Sequence, residues 1–431
     1  MSGQNFSFLH AADLHLDTPF QGLARVRPEL AEVLRDASLK AFDRLVELAL
    51  RERVAFILLA GDLYDGPRRG VRAQLRFARG VQRLAEQGIR TFIVHGNHDP
   101  LGGWNAVRSW PPEVKIFPSG RVEDARVTRN GTVLATVYGI SYEKPEVRKN
   151  LARLFRRRES PGIHIGLLHC NVGSNSEHAP YSPCELEDLK RASMDYWALG
   201  HVHRRSILCS DSPWVVYPGN LQGRSPKPSE QGAKGAVLVR VAGGRIRNVE
   251  PVALDLVRFV TLKLDIRGIR DLPSLGGRLR REGEALLARS EGRSLIVRVL
   301  LCGRGELVRD LRCDGALEGL LQELRAESTV EEPFLWWQDL VDDTKAVFDL
   351  EALRNRGDFS ADLIKLAEEL AGDLSRWEKF KESYLGNLPS LELKRTLGVN
   401  PLEMLQPGTS GHLEEARDHA LHLLEEGESE Q

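Results

Sequence analysis

Asp13, His15, Asp62, Asn97, His169, His201 and His203 are the residues of this sequence whose types and placement could do chemistry together. They fall in five short segments: AADLHLD (11–17), GDLYD (61–65), GNHD (96–99), LLHC (167–170) and GHVH (200–203). Each segment closes an apolar, strand-like run and sets Asp, Asn or His where a strand would enter a loop. In open α/β sheets that is where ligands bind, beyond the carboxyl ends of the strands. Neutral imidazole suits Mn, Fe, Zn, Co and Ni, and a carboxylate adds charge and can bridge two ions. Seven such groups are too many for one ion and fit two. A bridged pair, with ions about 3.5–4 Å apart, polarises a phosphoryl oxygen and activates water. One segment alone is weak evidence, because a GD after a strand is commonly a turn. The ordered set carries the reading.

The elements that must position these residues alternate. FSFLH (6–10) is a short strand, and residues 29–52 carry helical spacing. VAFILLAGD (54–62) is an almost unbroken apolar run, residues 71–87 are helical, and TFIVHGNHD (91–99) repeats the build. This order predicts a βαβ unit in a covered sheet. VTRNGTVLATVYGI (127–140) has Asn-Gly between two strand-like halves, a hairpin signal. IHIGLLHC (163–170), YWALGHVH (196–203), WVVYPGN (214–220) and KGAVLVRV (234–241) complete the set. The expected fold class is α/β, mixed β-sheets flanked by helices, over residues 1–250. Residues 251–330, with VRFVTLKLDI, LGGRLRREGEALLARS and SLIVRVLL, read as a small α+β capping domain. Residues 331–431 read as a helical region without strands. There Leu363, Leu366, Leu370, Leu374 and Trp377 fall on one helix face, and an acidic tail frays at its end.

Over 431 residues, hydrophobic residues are 42 %, charged residues 28 % and the net charge is −1. A chain this close to neutral is no general polyanion binder, so an anion site must be a local patch or a bound cation. Five cysteines without CxxC spacing point to free thiols in a reducing compartment. No basic leader and no apolar stretch of membrane-spanning length is present, so a cytoplasmic protein is expected.

The pattern DxH, GDxxD, GNHD, H, GHxH resembles the calcineurin-like metallophosphoesterase superfamily over residues 5–240. FLHAADLHLDTPF and YPGNLQGR (217–224) resemble the bacterial YhaO/SbcD-type DNA repair nucleases, whose cap-and-helices layout the chain also shares. The resemblance implies that Asp13, His15 and His203 hold one ion, that Asn97, His169 and His201 hold the other, and that Asp62 bridges. It implies His98 as the catalytic histidine, touching the scissile phosphate or protonating the leaving oxygen. It implies two divalent ions, Mn²⁺ foremost, a DNA substrate, and an SMC-type P-loop ATPase docked on the C-terminal helices, which could equally pack on the capping domain; a homodimer is a further expectation. One position departs: the SbcD-type nucleases carry His where this chain has Asp65. The phosphatase branch has Asp there, so Asp65 is expected to orient His98 and favour its protonated form.

Arg204, Arg205 and Arg224 follow the ligand motifs and are candidate phosphate contacts. EVRKNLARLFRRRES (146–160) reads as a basic helix that could touch a DNA backbone or simply face solvent. Arg278, Arg280 and Arg281 read as helix surface, with a second DNA surface as the other reading. His178 and Tyr181 sit in a Pro-rich turn, His95 reads as structural, and Trp336 and Trp337 as packing residues. Three functions remain at this level: a Mn²⁺-dependent DNA nuclease of double-strand-break repair, a phosphatase or small-molecule phosphodiesterase, and a non-catalytic scaffold.

Overall fold

Apolar runs become strands here wherever both of their faces can be covered. The computed structural model describes residues 5–16, 28–66, 70–103, 105–173, 181–329, 331–345, 347, 348, 350–380, 383, 413, 414, 416–421 and 424. Its contacts divide into two units: Met1–Leu262 with Glu282–Arg298 and Arg325–Asp339, and Lys263–Arg281 with Val299–Leu324 and Leu340–Gln431.

The first unit holds two six-stranded sheets. In one, β1 (Phe6–Ala11), β2 (Phe56–Ala60), β3 (Arg90–Val94) and β4 (Val114–Ile116) run parallel. Helices α1 (Pro28–Glu52) and α2 (Val71–Glu86) connect β1 to β2 and β2 to β3. β11 (Gly235–Ala242) and β12 (Arg245–Ala253) continue this sheet antiparallel beyond β1. The other sheet has the order β5 (Glu123–Arg129), β6 (Thr132–Gly139), β7 (Ile163–His169), β8 (Tyr196–Gly200), β10 (Trp214–Tyr217), β9 (Ser206–Ser210). Asn130 and Gly131, both at positive φ, make the β5–β6 turn that the Asn-Gly pair predicts.

All five residues of β2 are buried, because the strand is covered on both faces. Phe8, Phe56, Phe92, Ile165, Leu167 and Tyr196 belong to the cluster between the sheets. Leu34, Phe42, Leu45, Phe77 and Leu84 pack α1 and α2 on the outer face of the first sheet. Gly80 lets the two helices close, since a Cβ there would lie 2.5 Å from Phe42 Cε1. Leu151, Phe155, Leu189 and Trp197 join α3 (Leu186–Arg191) to the outer face of the second sheet. The unit is thus a four-layer α/β/β/α sandwich.

A three-stranded sheet follows in sequence, β13 (Val257–Asp265), β14 (Ser294–Arg304) and β15 (Leu335–Lys345), with α4 (Leu272–Ala288) after β13. α5 (Val308–Leu311) and α6 (Ala316–Ala326) lie between β14 and β15. In the second unit Leu353, Ile364 and Leu421 cluster around α7 (Leu350–Arg354) and α8 (Phe359–Gly372).

Three expectations are corrected. Residues 146–160 form no basic helix, only a 3-10 turn at Ala152–Leu154. Phe155 leaves that turn extended (ψ 134°) and buries its ring 4.8 Å from that of Trp197, which ends the helix. The region after residue 331 is not strand-free, because Leu335–Lys345 is β15. Its acidic residues hid it, and Arg298 pairs with Asp339 at 2.7 Å on that strand. Third, the Leu363–Trp377 stretch is two helices, α8 and α9 (Leu374–Phe380). Asp373 breaks it by accepting the Ser375 N–H at 2.8 Å and so capping α9. Of the acidic tail, residues 412–431, only 413, 414, 416–421 and 424 are described, and His178 lies outside the described residues. The five cysteines are free, and among the described residues no helix is long and apolar enough to cross a membrane.

Candidate metal centre

Asp13 lies just past β1, Asp62 past β2, Asn97 past β3, His201 and His203 past β8, and His169 is the last residue of β7. All are thus delivered to the carboxyl ends of their strands. Four of these residues take positive φ without being glycine: Asp13 (52°), His15 (43°), Asp62 (52°) and His201 (99°). Such backbone strain clusters at functional sites, where the surrounding structure over-determines it. Hydrogen bonds lock the turns: Asp13 N to Gly61 O and His15 N to Asp62 O, both 3.0 Å. Glycines give the site its density. A Cβ on Gly96 would lie 2.3 Å from Asp62 Oδ1, and one on Gly200 would lie 1.9 Å from Ala60 O.

Three triads of donor atoms each fall within 4.8 Å: Asp13, His15 and His203; Asp13, Asp62 and His169; and His15, Asp65 and His98. His169 Nε2 is 2.9 Å from Asn97 Oδ1, and the His169 ring is 5.2 Å from that of His201. The structure therefore brings all seven residues into one cluster. Asp13 and Asp62 are both 1 % exposed. Burial, and then the Asp62 charge beside it, push the Asp13 carboxyl well above its usual range. Burial, and then the charge of Arg224, lower His15 to about 4.

The donor set fits metal ions by a test that needs none present. His169 Nδ1–H donates to Ala60 O at 2.9 Å, which leaves Nε2 as a bare lone pair in the neutral ring. That lone pair faces Asn97 Oδ1 and Asp62 Oδ2, at 2.9 and 3.4 Å, both acceptors. His203 Nδ1 meets Glu230 Oε1 at 2.7 Å, and its Nε2 faces His15 Nε2 at 3.3 Å. Imidazole and carboxylate lone pairs gathered this closely are what divalent cations satisfy. Histidine ligands that give their other N–H to a carbonyl or carboxylate are the usual outer support of such sites.

His98 stands at the rim, its side chain 42 % exposed. Its Nδ1 is 2.6 Å from Asp65 Oδ1, and its backbone N–H donates to Asp62 Oδ1 at 2.9 Å. The Asp65 hydrogen bond raises the His98 pKa against the effect of partial burial. Arg224 is not simply offered to substrate. Its guanidinium reaches Asp65 Oδ2 at 3.4 Å and Glu230 Oε1 at 3.6 Å, with its side chain 16 % exposed. Arg204 and Arg205 are exposed, directly after His203. Tyr181 sets its ring edge-on against His201 at 5.6 Å.

Sequence reasoning missed the supporting residues. Glu230 accepts from His203, from Asn220 Nδ2 at 2.6 Å and from Arg224 N at 3.0 Å. Burial would raise its pKa, but His203, Arg224 and Lys234 together hold it below the carboxylate range. Lys234 Nζ, lowered to about 8 by burial, donates to His203 O at 2.8 Å. Asp99 is fully buried and ties two motif loops together, accepting from Gly96 N at 2.9 Å and Leu63 N at 3.0 Å. It also meets His95 Nδ1 at 3.0 Å, which gives His95 a structural part. Asp99 stood in GNHD and Asn220 in YPGN, so both carried a signal; Glu230, in a Pro-Ser-Glu-Gln turn, carried none.

A double β-sheet sandwich with acids, Asn and His converging at its strand ends has the build of a metal-dependent hydrolase. Residues 6–205 match the calcineurin-like phosphoesterase family, and residues 259–345 match the middle domain of the metallophosphoesterase YhaO. The chain is 35 % identical over 342 residues to the metallophosphoesterase YhaO of Bacillus subtilis, covering 79 % of this chain and 82 % of that one. It is 26 % identical over 239 residues to the DNA double-strand break repair protein Mre11 of Sulfurisphaera tokodaii, covering 53 % and 60 % of the two chains. For Mre11 of Aeropyrum pernix the figures are 28 % over 235 residues, 49 % and 53 %. The chain belongs to the calcineurin-like metallophosphoesterases, in the YhaO line. It is a hydrolytic phosphoesterase of a family that uses a dinuclear metal centre.

Proposed function

We propose that the chain is a Mn²⁺-dependent phosphodiesterase that cuts DNA, an exonuclease or endonuclease of double-strand-break repair. One observation carries the phosphoester chemistry: a protonatable histidine, His98, is fastened by Asp65 at the open rim of a buried donor cluster. Asp13, His15 and His203 would hold one ion, Asn97, His169 and His201 the other, and Asp62 would bridge. When bound, the ions activate water and neutralise charge gathering on phosphorus. His98 keeps its Nδ1–H on Asp65 and presents Nε2–H to the departing oxygen, which takes that proton as the P–O bond breaks. Arg224 holds Asp65 in place, while Arg204 and Arg205 are candidate contacts for flanking phosphates. The likeness to the Mre11 repair proteins supports DNA as substrate.

The Asp65–His98 pair also suits a small-ester phosphatase or phosphodiesterase, so substrate profiling decides. With Mn²⁺, a DNA nuclease releases nucleotides from linear DNA. Turnover of bis(p-nitrophenyl) phosphate alone, with DNA untouched, selects the second reading.

The resemblance extends the proposal to an SMC-type P-loop ATPase held by the C-terminal helices, and to a homodimer. α8 carries Phe359 and Leu366 exposed, 69 % and 46 %. Replacing both with Asp should abolish complex formation with the ATPase while leaving small-ester turnover intact. An unchanged complex refutes this docking.

A further inference from the structure

The two ends of the sandwich differ in charge. The metal end is acidic and histidine-rich; the other end, at the amino ends of β2, β3, β7 and β8, is lined by arginine. A cavity of about 610 Å³ there has Arg53, Arg83, Arg90 and Arg129 on its wall against a single carboxylate, Glu86. A second, of about 590 Å³, has Arg156, Arg157, Arg158 and Arg191 against Glu159 alone. The two are neighbours across the β5–β6 hairpin. Leu134 lines the first, and Gly162, just after the second, packs so closely that a Cβ on it would lie 2.5 Å from Leu134 O.

Half of these arginines, Arg53, Arg90, Arg129 and Arg156, keep their charge uncompensated by a carboxylate among the described residues. Arg156 Nη1 donates to Arg153 O and Phe155 O at 2.8 Å, and Arg90 Nη1 donates to Arg126 O. Carbonyl partners fix a guanidinium but leave its charge. Among the described residues, Arg53, Arg90, Arg129 and Arg156 have no carboxylate within ion-pair distance, whereas Arg83, Arg157, Arg158 and Arg191 do. Arg90 is held partly out of water, and burial lowers its pKa. The excess runs through the sequence. Residues 1–260 carry 37 Lys and Arg against 27 Asp and Glu, and residues 261–431 carry 23 against 34.

We propose that this arginine-lined end is an anchoring surface for the phosphate backbone of DNA, separate from the metal centre. The inference rests on the nucleic-acid reading above and adds where the uncut part of the substrate is held. Two adjacent concave sites, each with four guanidiniums, suit a ligand that repeats its anions, and Arg grips phosphate bidentately. β7 spans the distance, from Ile163 beside the second cavity to His169 in the metal cluster, seven residues. At about 3.3 Å per residue that is roughly 20 Å, about six base pairs of duplex. Only duplexes longer than this can reach both the metal cluster and the surface at once, so the surface should strengthen binding of long duplexes most.

The test uses the full chain and fluorescein-labelled duplexes of 5 and 30 base pairs, with binding read by anisotropy across a salt series. The variants are Arg53→Gln/Arg129→Gln and Arg156→Gln/Arg191→Gln, with Arg129→Gln alone as a lighter change on the exposed hairpin. Each double variant should weaken binding of the long duplex about tenfold. The slope of log K against log salt should become shallower by about 0.9 for each phosphate no longer gripped. The long duplex should lose more affinity than the short one, while bis(p-nitrophenyl) phosphate turnover should stay at wild-type levels, with thermal melts showing an intact fold. Wild-type affinity and slope in all folded variants, with DNA still bound and cut, overturn the anchoring surface alone. Preferential loss of binding to anionic lipid vesicles also overturns it. No DNA binding by wild type, beside brisk small-ester turnover, overturns the nucleic-acid reading itself.

Discussion

Glu230 shows how much of this site depends on residues that never face substrate. It fixes the tautomer of His203 by accepting a hydrogen bond from Nδ1–H, so that Nε2 is turned toward His15. Glu230→Gln should weaken Mn²⁺ binding about 10–100-fold, the usual loss when such a support is removed, with the fold kept. Isothermal titration with Mn²⁺ checks this; unchanged affinity contradicts the assigned part. The part proposed for His98 is different, on the leaving group. His98→Gln should lower kcat about 10²–10⁴-fold, the range for a lost general acid, without changing metal content. Asp65→Asn should produce part of that loss, because the imidazole stays but its protonated form is no longer favoured. The seven candidate ligands could be read in the sequence because each ends an apolar run, where a polar group has no core role. Glu230 could not, because its partners come from residues 203, 220 and 224, which only the fold brings together.

The elements hold the site by close packing and by one buried neutral histidine. Gly80→Val would force α1 and α2 apart at Phe42, and should destabilise the protein by about 1–3 kcal/mol in urea unfolding, as overpacking does. His10, on β1, joins the two sheets: Nε2–H donates to Leu199 O at 3.1 Å, and Nδ1 accepts from Tyr196 OH at 3.0 Å. Burial lowers its pKa from 6.5 to about 3, against a weaker upward effect of the Leu199 carbonyl. The unfolded chain therefore takes up this proton first. The stabilisation is complete above about pH 6.5 and is lost as pH falls toward 3, at up to about 1.4 kcal/mol per pH unit. His10→Gln should flatten that part of the stability–pH curve; an unaltered slope would exclude His10 as its source. Strands of continuous apolar residues were legible, as was the Asn-Gly hairpin. β15 was not, because a strand carrying Asp339, Asp342 and Asp343 has no apolar alternation to read. Nor was the break at Phe155, where tertiary burial against Trp197 overrides helical spacing.

For the molecule as a whole, a folded state that gathers two buried carboxylates and four histidines should depend on bound cations. Saturating Mn²⁺ should raise Tm and chelation should reverse the rise, since ions that bind only the folded chain stabilise it by mass action. Asp62→Asn should lose most of that shift. The most direct measurement is nucleotide release from end-labelled linear DNA in Mn²⁺, with wild type and His98→Ala side by side at matched metal content. Wild type should release nucleotides, and the variant should do so about 10²–10⁴-fold more slowly. DNA left intact by wild type, or cut equally well by His98→Ala, would contradict the assignment of a DNA-cutting centre that uses His98 as its acid.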